Sequence, residues 1–113
     1  MESNVDACTD KLVKSILESR AYRRFIRAQE NLNKRPDLKE QINQYRTDIF
    51  KLYEEGADED LIDTADILEK KFQSMQKIPE VNAYMDAETE IIRMVREIYQ
   101  RLITETGVEE PEV

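Results

Sequence analysis

Glycine and proline fill only five of the 113 positions, Pro36, Gly56, Pro79, Gly107 and Pro111, and the first four lie twenty or more residues apart. Proline favours the first turn of a helix and turns the residue before it away from helical geometry. Glycine closes helices in the left-handed conformation. The intervening stretches are rich in Leu, Ile, Glu, Lys and Arg, and no alternating run bounded by turn residues marks a strand. The pattern predicts an all-α chain, an antiparallel helical bundle of four to five helices with long helical hairpins.

Apolar spacing locates the helices. Val5, Cys8, Leu12 and Ile16 recur at intervals of three and four, predicting a first helix from about Asn4 to Glu18. Ser19 reads as a cap that restarts or kinks the chain. A second helix over 21–32 then turns Tyr22, Phe25, Ala28 and Leu32 inward. After NKRPDL, a third helix from Pro36 to about Glu55 carries Leu38, Ile42, Tyr45, Ile49 and Leu52 as a heptad seam. In EEGADED, Gly56 suits a helix end, Asp58 a cap, and Glu59 and Asp60 the positive end of the following helix. The fourth helix places Leu61, Ala65, Leu68, Phe72 and Met75 on one face, and Pro79 opens a fifth that reaches about Thr106. Residues 1–106 are expected to form a single domain, followed by a flexible acidic tail over 107–113.

The fifth helix repeats the second with the charge inverted. Aligning Val81 with Tyr22 sets Tyr84 on Phe25, Ala87 on Ala28 and Ile91 on Leu32. Around the first copy lie Arg20, Arg23, Arg24 and Arg27; around the second lie Asp86, Glu88 and Glu90. The two segments are expected to pack as pseudo-equivalent helices, with Arg23, Arg24 or Arg27 facing Asp86, Glu88 or Glu90 within a subunit or across a dimer. At about 1.5 Å per residue the fifth helix is a rod of roughly 40 Å, long for a domain of this size. Its apolar face is wide: Val81, Tyr84, Ile91, Val95, Ile98 and Leu102 on one stripe, Met85, Ile92, Tyr99 and Ile103 on another. A face this broad is expected to be covered partly by another subunit. The candidate oligomer interface is therefore Tyr84, Met85, Glu88, Ile91, Ile92, Val95, Ile98, Tyr99 and Leu102. Glu88 interrupts the first stripe as an edge carboxylate paired with an arginine, or as a contact that sets register.

Composition narrows the chemistry. The formal charge is −8, yet residues 11–35 hold eight Lys and Arg against two acids, while 36–113 hold nine against twenty. So acidic a surface argues against direct nucleic-acid binding by the chain alone. The arginine face of Arg20, Arg23, Arg24 and Arg27 is the candidate partner-binding surface, alongside the plainer reading of a solvated or internally paired face. No histidine occurs, which removes histidine triads and histidine metal sites, and no catalytic or metal-binding constellation stands out. Cys8, the single cysteine, allows no intramolecular disulfide and is expected to be a small buried hydrophobe. The opening residues lack a signal-peptide pattern, and no apolar run reaches the roughly 20 residues of a membrane span. A cytoplasmic setting without membrane contact is the expectation.

Ser19-x-x-Tyr22-x-x-Phe25-x-x-Ala28, then Pro36-x-Leu38 opening a long helix, then the glycine-containing acidic turn, resembles the bacterial YlbF/YmcA family. Pro79-Glu80-Val81, Tyr84 and Ala87-Glu88 fit that family's last helix, and the resemblance covers roughly residues 5–105. It implies a small helical protein without catalytic residues that associates with itself or with paralogous helical proteins. Such proteins are linked to regulatory complexes in competence, sporulation and biofilm development, and to mRNA processing by ribonuclease Y. Some members help bind iron–sulfur clusters through cysteine-rich C-terminal tails. This chain ends in GVEEPEV with no cysteine after Cys8, which argues against a cluster, and no cofactor is expected. The sequence thus points to a non-enzymatic interaction or scaffold protein in a small regulatory complex. The alternative is an RNA-binding adaptor using the arginine face.

Overall fold

The computed structural model describes residues 2–55 and 59–108, without the side chains of residues 55 and 59–61. Among the described residues every regular element is a helix: α1 (Ser3–Leu17), α2 (Arg20–Asn33), α3 (Pro36–Glu55), α4 (Glu59–Gln76) and α5 (Pro79–Thr106). Each described end falls within a residue of its expected place. Gly56, Asp58 and the tail from residue 109 lie outside the described residues, as do the side chains of Glu59, Asp60 and Leu61.

The helix ends follow from local chemistry. The Ser19 hydroxyl accepts from the Tyr22 N–H at 3.1 Å and donates to the Ile16 carbonyl at 2.6 Å, so one side chain ends α1 and starts α2. Ahead of Pro36, the Arg35 carbonyl accepts from the N–H groups of Leu38 and Lys39 at 3.0 and 3.1 Å. The Arg35 guanidinium holds the Asp37 carboxyl below its ordinary range. Gly107 closes α5 at φ 72°, its N–H reaching the Ile103 carbonyl at 3.1 Å.

The chain divides into two compact units, one made of residues up to 26 together with those from 86 onward, the other of residues 27–85. Both boundaries fall inside continuous helices, α2 and α5. In the 27–85 unit, α3 and α4 form an antiparallel hairpin. Leu32, Leu38, Ile42, Met75 and Val81 make its buried core, with Tyr45, Ile78, Tyr84 and Met85 packed against them. Tyr45 and Phe72 stack at 5.5 Å between ring centroids, and Arg46 lies 5.7 Å above the Tyr84 ring. Along the α3 seam, burial declines from Leu38 and Ile42 to the half-buried Tyr45, Ile49 and Leu52. The end of α2 and the start of α5 contribute Leu32 and Val81 to the base of the hairpin, so its far end has less to pack against.

The other unit is thinner. Among its described residues only Ala21 and Ala87 are buried, and α1 contributes no buried residue at all. Val5 and Leu12, expected on the inward face of α1, are exposed, and so is Cys8, contrary to its expected burial. The periodicity of α1 is real, but this unit offers only two other helical segments, 20–26 and 86–106, to cover it. The alanines of the internal echo, Ala28 and Ala87, are both buried, each in its own unit.

Candidate interaction surfaces

On α5 the candidate interface residues separate by environment. Tyr84 and Met85 are half-buried against the core of the 27–85 unit. Glu88, Ile91 and Ile98 are half-buried farther along the helix. Ile92, Val95, Tyr99 and Leu102 are exposed, Val95 at 47% and Leu102 at 55%. Their spacings of three, four and three make one heptad seam running along α5. The sequence reading assigned these four to two different stripes; the run 92-95-99-102 was legible as a single seam, but only exposure separates it from its half-buried neighbours. In the same unit α1 exposes Val5, Leu12, Val13 and Leu17.

The arginines divide as well. Arg24 reaches Glu90 at 2.5 Å, joining the basic and acidic copies of the echoed pattern, and both side chains remain about half exposed. An ion pair this open contributes about 0–1 kcal/mol. Arg20, Arg23 and Arg27 are exposed along the same helix. Elsewhere Arg35 pairs with Asp37 at 3.3 Å and lies 3.9 Å from Glu80, and Arg101 reaches Glu105 at 2.8 Å.

No reactive centre accompanies these surfaces among the described residues. No polar or charged side chain there is buried, and no three His, Cys, Asp or Glu residues are grouped as metal ligands. An opening of about 540 Å³ is lined by Thr89, Ile92, Arg93, Arg96, Glu97 and Gln100, all on one helix, so it is open surface rather than a cleft. A smaller and more enclosed hollow, about 50 Å³ in the 27–85 unit, is walled by residues that include Lys39, Arg46 and Tyr84. No described helix is long and apolar enough to cross a membrane.

These features define the class: a small all-α protein whose open surfaces are apolar stripes and a basic helix face. The chain belongs to the YlbF/YmcA family, since residues 5–106 match the family model described as control of competence regulator ComK, YlbF/YmcA. That description gives the family a regulatory role. Searches of curated proteins and of solved structures find no match to the chain.

Proposed function

We propose that the protein is a non-enzymatic regulatory component that works by assembling, with itself or with a paralogous helical protein, along the α5 seam. One observation carries this reading. Among its described residues the unit containing α1 buries only two alanines, yet it exposes Ile92, Val95, Tyr99 and Leu102 in register. A heptad seam left open in this way loses its contact with water when a second helix lies along it. Arg20, Arg23 and Arg27 form the partner-facing surface, and a ribonuclease complex is the setting that the family resemblance implies. Cys8 is the single cysteine, and the protein is proposed to work without an iron–sulfur cluster.

The test is molar mass by light scattering. The intact chain is expected to run above its 13.4 kDa monomer mass, and the Val95→Asp/Leu102→Asp variant at that mass. A dilute, stable monomer in both cases contradicts the proposal. The exposure of Arg20, Arg23 and Arg27 favours one second reading, an RNA adaptor in which they meet phosphates. Titration with RNA at low and high salt decides it, because phosphate contacts weaken steeply as salt rises. Absence of binding even at low salt rejects the adaptor.

A further inference from the structure

The far end of the α3–α4 hairpin carries a second apolar surface, separate from the α5 seam. Phe50, Tyr53 and Ile62 are 63%, 82% and 71% exposed. Helical phase sets Phe50 and Tyr53 on one flank of the α3 seam, and sets Ile62 on the same side of the antiparallel α4. The surroundings are strongly acidic: between Lys51 and Lys70 the sequence holds eight Asp and Glu and no Lys or Arg. Glu54, Asp63 and Asp66 are exposed beside the three apolar side chains, and Asp66 also pairs with Lys70 at 3.1 Å. Large apolar side chains gathered at one end of a hairpin and rimmed by charge mark a contact surface.

The same chain holds the complement. Val13 and Leu17 near the end of α1 are each 49% exposed. Lys14, Arg20 and Arg23 are exposed around the α1–α2 junction, with Glu18 the one acid from residue 11 to 27. An acidic apolar knob and a basic apolar strip are thus built into one molecule. We propose that the hairpin end of one copy docks, through Phe50, Tyr53 and Ile62, on the Val13, Leu17, Arg20 and Arg23 surface of a second copy. Glu54, Asp63 and Asp66 meet the cations at the rim of this contact. The proposal rests on reading the arginine face as a contact surface, and names what that surface receives. Because knob and strip are unlike, the contact is heterologous: it links copies head to tail, unless two copies dock reciprocally and close. Rim charges govern association rate and partner choice, so the contact weakens as salt rises.

Sedimentation velocity on the full chain tests the proposal with four samples: wild type, Glu54→Lys/Asp63→Lys/Asp66→Lys, Lys14→Glu/Arg20→Glu/Arg23→Glu, and an equal mixture of the two variants. Every substitution is at an exposed position, and circular dichroism checks that each variant stays helical. Each reversed variant alone is expected to lose the salt-sensitive association step, weakening it at least tenfold. The mixture is expected to regain it, since reversed knob and reversed strip attract again. Phe50→Ser/Tyr53→Ser on its own is expected to lose the step at every salt concentration. Helical variants that sediment as wild type, or a mixture that stays dissociated, overturn the proposal. The Val95→Asp/Leu102→Asp variant removes association along α5 and leaves the knob and strip intact, so the two interfaces fail separately.

Discussion

The 27–85 unit and its companion are built from the same kinds of residue, yet they enclose their apolar side chains to very different degrees. Among the described residues, the first buries Ala28, Leu32, Leu38, Ile42, Leu68, Met75 and Val81; the second buries Ala21 and Ala87. The difference lies in the number of layers. A hairpin with a helix end and a helix start against its base can enclose branched side chains. Three helical segments leave Val95, Tyr99 and Leu102 partly in water. Amphipathic patterning says that a face wants cover; it does not say which chain supplies it.

The largest expected effect is in the filled core. Ile42 is 2% exposed, so Ile42→Ala is expected to cost about 2–5 kcal/mol in urea unfolding. Val95→Ala, at an open position, should change the stability of an isolated monomer by about 0.5 kcal/mol or less. Equal losses at the two positions, measured on dilute protein, would erase the contrast between the units. Ser19→Ala comes next, at about 1 kcal/mol, because the hydroxyl caps α2. Arg24→Ala follows at about 0–1 kcal/mol, an effect that salt should remove, since the Arg24–Glu90 pair is open to solvent.

The smallest effect is one of pH. Burial beside Phe72 pushes the Tyr45 phenol above its ordinary 10.0, with Tyr53 and Glu69 adding to the shift. A raised folded pKa means the unfolded chain loses this proton first as pH rises. Tyr45 therefore contributes its full stability below pH 10.0 and loses it progressively above that value. Tyr45→Phe should flatten this alkaline decline in thermal unfolding; an unchanged slope would show that Tyr45 does not set it.

Which features were legible in the sequence follows the same division. Helix boundaries at Ser19, Pro36 and Pro79 were readable because a cap and a missing N–H act within a few residues, whereas the left-handed Gly107 that closes α5 was read as part of the tail. The α3 core was readable because its heptad meets partners in the same unit. The Arg24–Glu90 pair was foreshadowed by the inverted charge of the echoed pattern, which named three candidates on each side without choosing among them. Burial of Cys8 and of the α1 face was misjudged, since periodicity reports a face and not its cover. The exposed α5 seam was split between two stripes for the same reason. Phe50, Tyr53 and Ile62 escaped notice because each sits beside an apolar seam rather than on it, and only exposure reveals them.

Amide hydrogen exchange on the wild type and on the Val95→Asp/Leu102→Asp chain, side by side, bears most directly on whether a second molecule covers the thinner unit. Faster exchange through α1 and the last turns of α5 in the variant, with α3 unchanged around Ile42, is the expected result. Equal protection of both units in both chains would mean that each unit is complete in a single copy, contrary to the role assigned here to the α5 seam.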